Sequence, residues 1–307
     1  MGVFANPGRE YQAWIRFSNA TVSLTPDSPA TAGKTVHGSR GMAIKLMGVD
    51  GSALLPANGP LTQDFLLVNH PVFPFSNVED YEALSRILLE DNDNPARFFS
   101  ERICRKADGT PDMADPMTQR AVRTAGIVKR IQSLSLPDAF QAPPASPVDN
   151  QYFSAAPLLF GEGRAMKVSA KPVAPVTDRA PDLTDPDYLR QALHERLSAT
   201  GARDVVFELL LQVRSAEELA GQIDQQIEDA SCEWEETTHP FVAVGTITIP
   251  PQDFETEERR KFCEGLIFTP WHGIAEHRPL GSLNRLRRAV YEASAIFRHV
   301  PKEPAQF

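Results

Sequence analysis

The sequence is poor in cysteine: Cys104, Cys232 and Cys263 are its only three in 307 residues, widely separated and without a CxxC pair. An odd number of distant thiols excludes a disulfide framework as the basis of the fold and offers no zinc-ligand spacing. A reducing, cytoplasmic setting is expected. Positive charge is in deficit too, with 31 Lys and Arg against 40 Asp and Glu and a net charge of −9. Nucleic acid and anionic membranes are polyanions that reward a basic surface, so neither is expected as a partner. No run reaches the ~18 apolar residues of a membrane helix, so no integral membrane segment is expected. "MGVFANPGREY" has neither the basic start nor the apolar stretch of a secretory leader. It also lacks a myristoylation signal, because Asn6 stands where Ser or Thr is wanted. The chain shows no glycine-rich phosphate loop and no internal repeat.

What is present is ample apolar content, 42%, enough for a substantial core. "YQAWIRFSN", "GMAIKLMG" and "DFLLVNHPVF" are short, rich in β-branched and aromatic residues, and punctuated by Gly, Pro, Asp and Ser, which predicts strands across residues 8–76. In "NVEDYEALSRILLED", "PARFFSERICRK" and "PMTQRAVRTAGIVKRIQSL" the apolar residues recur at helical spacing after polar or proline starts, so residues 77–136 form a helical insertion. The Pro/Ser-rich "LPDAFQAPPASPVDN" ends it as a loop. Strand signals resume over 160–250 in "RAMKVSAKPV", "DVVFELLLQV" and "FVAVGTITI", with a helix in "PDYLRQALHERLS" and two more helices afterwards, the last at about 282–298. Two strand clusters with helices between and after them predict an α+β domain spanning 1–307, built on an antiparallel sheet or barrel.

The last helix carries the chemistry. At ~100° per residue, Leu283, Leu286, Val290, Ala293 and Phe297 form one stripe, which is expected to face the core. Arg287, Tyr291 and Arg298 form a second, polar stripe about 100° away. A guanidinium one turn before a phenol favours the phenolate, a hard anionic oxygen suited to ferric iron. The same pattern also fits a solvated basic face with one amphipathic tyrosine.

The order of "VFANPGREYQAWIRFSNA", "RGMAIKLMG", "TQDFLLVNHPVF", "FVAVGTITI" and "HRPLGSLNRLRRAVYEASAIFR" resembles the haem catalase family, especially its short catalase-related branch, from about Phe4 to Arg298. The resemblance implies a catalase-type antiparallel β-barrel with helices inserted between strands and packed at the C-terminus. It implies haem b as cofactor, peroxide as small-molecule substrate, and allows a homo-oligomer. It assigns Tyr291 as proximal iron ligand, Arg287 as the cation that keeps it ionised, and Arg298 and Arg16 as propionate ligands. Ser18 would support a distal histidine, and Asn69 would orient peroxide.

That histidine lies upstream of the "RFS" strand in catalases, and here none precedes His37. Peroxide cleavage needs a base to move a proton between the two oxygens, and Asn69 cannot serve as one. The expectation is therefore either a chain whose upstream segment supplies the histidine or a natural short form with altered activity. His37 and His70 are conceivable substitutes, and His272 with His277 offers only a weak metal spacing. Alternative readings are conversion of organic or fatty-acid hydroperoxides, as in allene oxide synthases that resemble catalases, and a haem-binding protein without turnover.

Overall fold

The computed structural model describes residues 1–20, 27, 38–55, 61–92, 94–132, 144–175, 182–298, 300 and 303–304. Its centre is an eight-stranded antiparallel sheet curled into a half-barrel. In chain order the strands are β1 (Ala13–Asn19), β2 (Arg40–Met47), β3 (Thr62–Val68), β4 (Tyr152–Phe153), β5 (Leu158–Leu159), β6 (Arg164–Pro172), β7 (Val205–Ser215) and β8 (Val242–Ile249). The spatial order is β1-β2-β3-β4-β6-β7-β8, with β5 pairing β6 off that path. Among the described residues β1 and β8 are the ends of the order and do not pair with each other.

Alternation along each strand sorts the two faces. Met42, Ile44, Phe65, Leu67, Met166, Val168, Phe207 and Leu211 point to the inside of the curl and share one core with Tyr152 and Ile274. Burying each large apolar side chain contributes about 1.5–3 kcal/mol before the loss of chain entropy. The N-terminal segment is tied into this core: Phe4 packs on Phe65, Phe160 and His277. His277 is fully buried, accepting from the Val3 amide at 3.1 Å and donating to the Leu159 carbonyl at 3.3 Å.

The outer face carries charge. Lys45 of β2 and Asp64 of β3 are cross-strand partners, 1% and 0% exposed in their side chains, with both carboxylate oxygens 2.9 Å from the ammonium. Asp64 also accepts from the Thr269 amide at 3.1 Å, and its own amide donates to the His272 carbonyl at 2.8 Å. The neighbouring Gln63 accepts from the Ile274 amide. Two adjacent β3 residues thereby fasten the segment 269–274 across the sheet.

Between β3 and β4 lie α1 (Val78–Glu90), α2 (Ala96–Arg102) and α3 (Pro116–Gln132). Asn77 caps α1 by accepting from the Asp80 amide, and the buried Asp80 carboxylate collects Arg102 of α2 and Arg120 of α3. One acidic residue thus ties all three helices. Helix α4 (Tyr188–Ser198) precedes β7 and begins on the Asp27 carboxylate, which accepts from the Leu189 and Arg190 amides. Beyond β7 a short helix α5 (Ala216–Leu219) and a single π-turn at Asp224–Glu228 lead into Trp234, which packs with Ala165, Leu219 and Ile227 outside β6. Sequence periodicity does not reveal this covering segment, because Ala, Glu, Gln and Asp dominate it. Helices α6 (Glu257–Gly265) and α7 (Ser282–Phe297) follow β8. No helix of the described residues is long and apolar enough to cross a membrane.

Two stability predictions follow from the buried charges and imidazoles. Asp64→Ala strands the Lys45 ammonium and is expected to cost about 3–5 kcal/mol in urea denaturation, whereas the double variant Lys45→Met/Asp64→Leu loses much less; equal losses would contradict the pairing. Burial holds His70 and His277 down to about 4, below the ordinary 6.5. The unfolded chain therefore binds protons first as pH falls. Stability is intact above about pH 6.5 and declines toward 4, by about 2 kcal/mol per histidine at pH 5; a flat urea midpoint between pH 7 and 5 contradicts this.

Candidate functional site

Helix α7 starts where Gly281, at φ +84°, turns the chain against the Ile227 carbonyl oxygen, a position any Cβ would occupy. Its amphipathic stripe then faces the unexpected way. Leu283 is buried and Leu286 half-buried, but Val290 is 43% exposed, Phe297 84% exposed and Ala293 exposed. The expectation that Leu283, Leu286, Val290, Ala293 and Phe297 together face the core is corrected. The buried positions are Leu283, Asn284 and Ala295, which bracket the stripe of Arg287, Tyr291 and Arg298, each half-buried. The helix turns its arginine and tyrosine side inward and its valine and phenylalanine side outward.

Packing at the start of α7 enforces that rotation. Asn284 is 1% exposed, its amide donating to the Pro157 and Leu280 carbonyls at 2.9 Å, while its own carbonyl accepts from the Trp271 indole at 2.7 Å. Rotating α7 would break these bonds and leave buried amide groups unpaired, at about 1–3 kcal/mol each. Arg287 donates to the Asn284 side-chain oxygen at 3.0 Å, with its guanidinium 5.4 Å from the Phe73 ring centre and 5.5 Å from that of Tyr291. Arg298 donates to the Glu264 and Leu266 carbonyls at 3.1 and 3.4 Å. Arg285 forms a two-pronged pair with Glu228, and Arg288 lies over Trp271. Both are structural neighbours of the stripe, outside it.

On the sheet, Arg16 pairs with Ala43 and Ser18 with Gly41, so both project from the outer face. A Cβ at Gly41 would lie 2.8 Å from the Ser18 hydroxyl oxygen, so glycine leaves room for that side chain. Ser18 is exposed; Arg16 is half-buried with its guanidinium 4.4 Å from the Phe268 ring centre. Lys45 reaches the same ring at 5.2 Å. Phe268 lies two residues beyond Leu266, whose carbonyl holds Arg298, so Arg16, Lys45 and Arg298 converge on the strip 264–268 from two sides. Next to it the His272 Nδ1 is 3.2 Å from both Asp64 and Lys45. Sequence reasoning passed over Lys45, Asp64, Phe268 and Phe73. The available signal was a lone charge in each of the otherwise apolar strands "AIKL" and "QDFLLV", since a buried charge demands a partner.

Asn69 is not brought together with these residues. It follows Phe65 and Leu67 on the inner parity, opposite Arg16 and Ser18, is 5% exposed, and accepts from the Arg40 amide at 2.7 Å. It ends the strand as a cap. His70 is equally engaged, donating to the Val72 carbonyl at 2.6 Å and bonded through Nε2 to the Ser39 hydroxyl at 2.9 Å. His37 lies outside the described residues. The metal spacing of His272 and His277 finds no support: both His277 nitrogens are bonded within the protein, and no group of three or more His, Cys, Asp or Glu among the described residues is arranged to hold a metal ion.

Neither protein-family models nor curated proteins match the sequence. Solved structures do. A fungal catalase matches with a TM-score of 0.63 at 17% identity, over 97% of this chain and 54% of that one. A bacterial catalase matches with a TM-score of 0.61 at 16% identity, over 97% and 52%. Catalase A from Saccharomyces cerevisiae gives 0.61 at 16%, over 98% and 56%. The chain spans about half the length of these catalases, and it has a catalase-like fold.

Proposed function

We propose that the chain is a haem b protein with Tyr291 as the iron ligand, and that peroxide is the substrate of the site. The observation that carries this reading is the rotation of α7, which turns Arg287, Tyr291 and Arg298 inward at the expense of exposing Val290 and Phe297. A solvated basic face, the bland alternative, would have been turned outward. The donor set fits the group: a phenol oxygen for ferric iron, a guanidinium 5.5 Å from the ring of that phenol, and separate guanidiniums for two carboxylates. The catalase-like fold supports it further.

In this reading Arg287 supplies the positive charge that an anionic phenolate ligand requires. Arg298 and Arg16, converging on residues 264–268, take the two propionates as charge-assisted hydrogen bonds. The guanidinium of Arg287 lies over the Phe73 ring and that of Arg16 over the Phe268 ring, contacts that help to hold both in place. Ser18 offers a hydroxyl on the exposed sheet face. When bound, the iron of the haem supplies the redox chemistry of peroxide decomposition.

The proton step falls to this chain's own groups. Asn69 is turned away, and His70 and His277 are buried with both nitrogens engaged, so neither can take a proton from peroxide. His272 keeps its Nε2 without a hydrogen bond among the described residues, on the same side of the sheet as Arg16, and its Nδ1 is set by Asp64 and Lys45.

Titration of the purified protein with ferric haem tests it. Wild type is expected to give a phenolate-to-iron charge-transfer spectrum with one haem per chain. Tyr291→Phe should abolish that spectrum, and Arg287→Gln should weaken binding roughly tenfold, in the range seen when groups supporting a metal ligand are removed. Identical spectra for wild type and Tyr291→Phe contradict the assignment.

A further inference from the structure

Helix α7 ends at Phe297, and the chain then doubles back onto the strip 264–268 beside the candidate site. Val300 still donates to the Ala295 carbonyl. Shortly after it, the Glu303 carboxylate accepts from the Ile267 amide at 2.6 Å, and the same oxygen lies 3.3 Å from the Lys45 ammonium. Pro304 packs over Gly265, at the end of α6. A carboxylate that is 25% exposed is thus seated on a lysine that is 1% exposed.

Lys45 does not need this second acid. Both oxygens of Asp64 already lie 2.9 Å from its ammonium, in a pair that is buried. Arg16 and Arg298, in contrast, form no ion pair among the described residues: Arg16 lies over the Phe268 ring, and Arg298 donates to the Glu264 and Leu266 carbonyls. Three cations therefore meet along the strip against two carboxylates, with Arg16 and Lys45 sharing the Phe268 ring at 4.4 and 5.2 Å. A backbone amide beside a buried ammonium is a receptor for a carboxylate, because both present positive hydrogens to one anionic oxygen. Lys45 and the Ile267 amide make that receptor, and Glu303 fills it.

We propose that Glu303 is a built-in competitor for a carboxylate subsite made by Lys45 and the Ile267 amide, and that it gives way to one haem propionate. The competition rests on haem being the ligand of the site, as proposed above: the propionate that reaches Arg16 arrives at the ring that Arg16 shares with Lys45. One carboxylate replaces another on Lys45, so the buried ammonium is never left with less charge compensation than before. The hold of Glu303 on the empty site lowers the apparent affinity for haem by the fraction of chains in which the subsite is free.

Titration of the full chain with haem and with haem dimethyl ester, whose propionates are blocked, separates charge competition from crowding. An ion pair with one partly exposed partner is weak, so Glu303→Gln is expected to tighten haem binding only about three- to tenfold, and to leave binding of the dimethyl ester unchanged. In the haem-free protein, hydrogen exchange of the Ile267 amide should quicken in Glu303→Ala, which reads the contact itself. An unchanged or weaker haem affinity in Glu303→Gln, equal tightening of the ester, or an Ile267 amide indifferent to Glu303→Ala overturns the proposal. Any of these leaves iron ligation by Tyr291 standing where the wild-type spectrum is lost in Tyr291→Phe; absence of haem binding from wild type and variants alike overturns both.

Discussion

Two opposite charges buried side by side on the outer face of β2 and β3 organise the region around the candidate site. A lysine ammonium and an aspartate removed from water tolerate that burial only when paired and hydrogen-bonded to each other and their surroundings. Lys45 and Asp64 meet the requirement by drawing in the Thr269 amide, His272 and the Glu303 carboxylate at 3.3 Å. The segment that follows α6 is therefore held across the sheet. Phe268 lies beneath Arg16, Trp271 reaches Asn284, and Asn284 sets the rotation of α7. The direction in which Tyr291 faces is the far end of a chain of satisfied hydrogen bonds that begins with this ion pair.

Most of the fold was legible because its strands and helices obey their periods. Strands β1, β2, β6, β7 and β8 and helices α1, α3, α4 and α7 lie where alternation or helical spacing and capping residues put them. Two features were not legible, for different reasons. The segment 216–240 has few apolar residues, and Leu219, Ile227 and Trp234 become a cluster only when the outside of β6 is there to receive them. The rotation of α7 was misread because a local apolar stripe normally marks the buried side. Here packing at Asn284, fourteen residues before Arg298, overrides the stripe. Asn69 shows the converse: parity placed it correctly with Phe65 and Leu67, and that same parity separates it from Arg16 and Ser18.

The outward apolar side of α7 and the first half of β8, where Val242 and Val244 are exposed, belong to one physical pattern. The chain buries a sizeable core in the middle of its sheet and leaves apolar surface at two margins. The likeness to solved catalases extends over nearly all of this chain and about half of theirs. The described structure holds both α7 and β1, the parts that the proposed haem binding through Tyr291 needs.

The central claim is that the phenol on the inward side of α7 is an iron ligand. Resonance Raman spectroscopy of the ferric haem-loaded protein, excited in the phenolate-to-iron charge-transfer band, tests it most directly. The account predicts tyrosinate ring modes in the wild type that disappear in Tyr291→Phe while the protein remains folded. Haem bound without tyrosinate modes, or modes that survive the substitution, would contradict it.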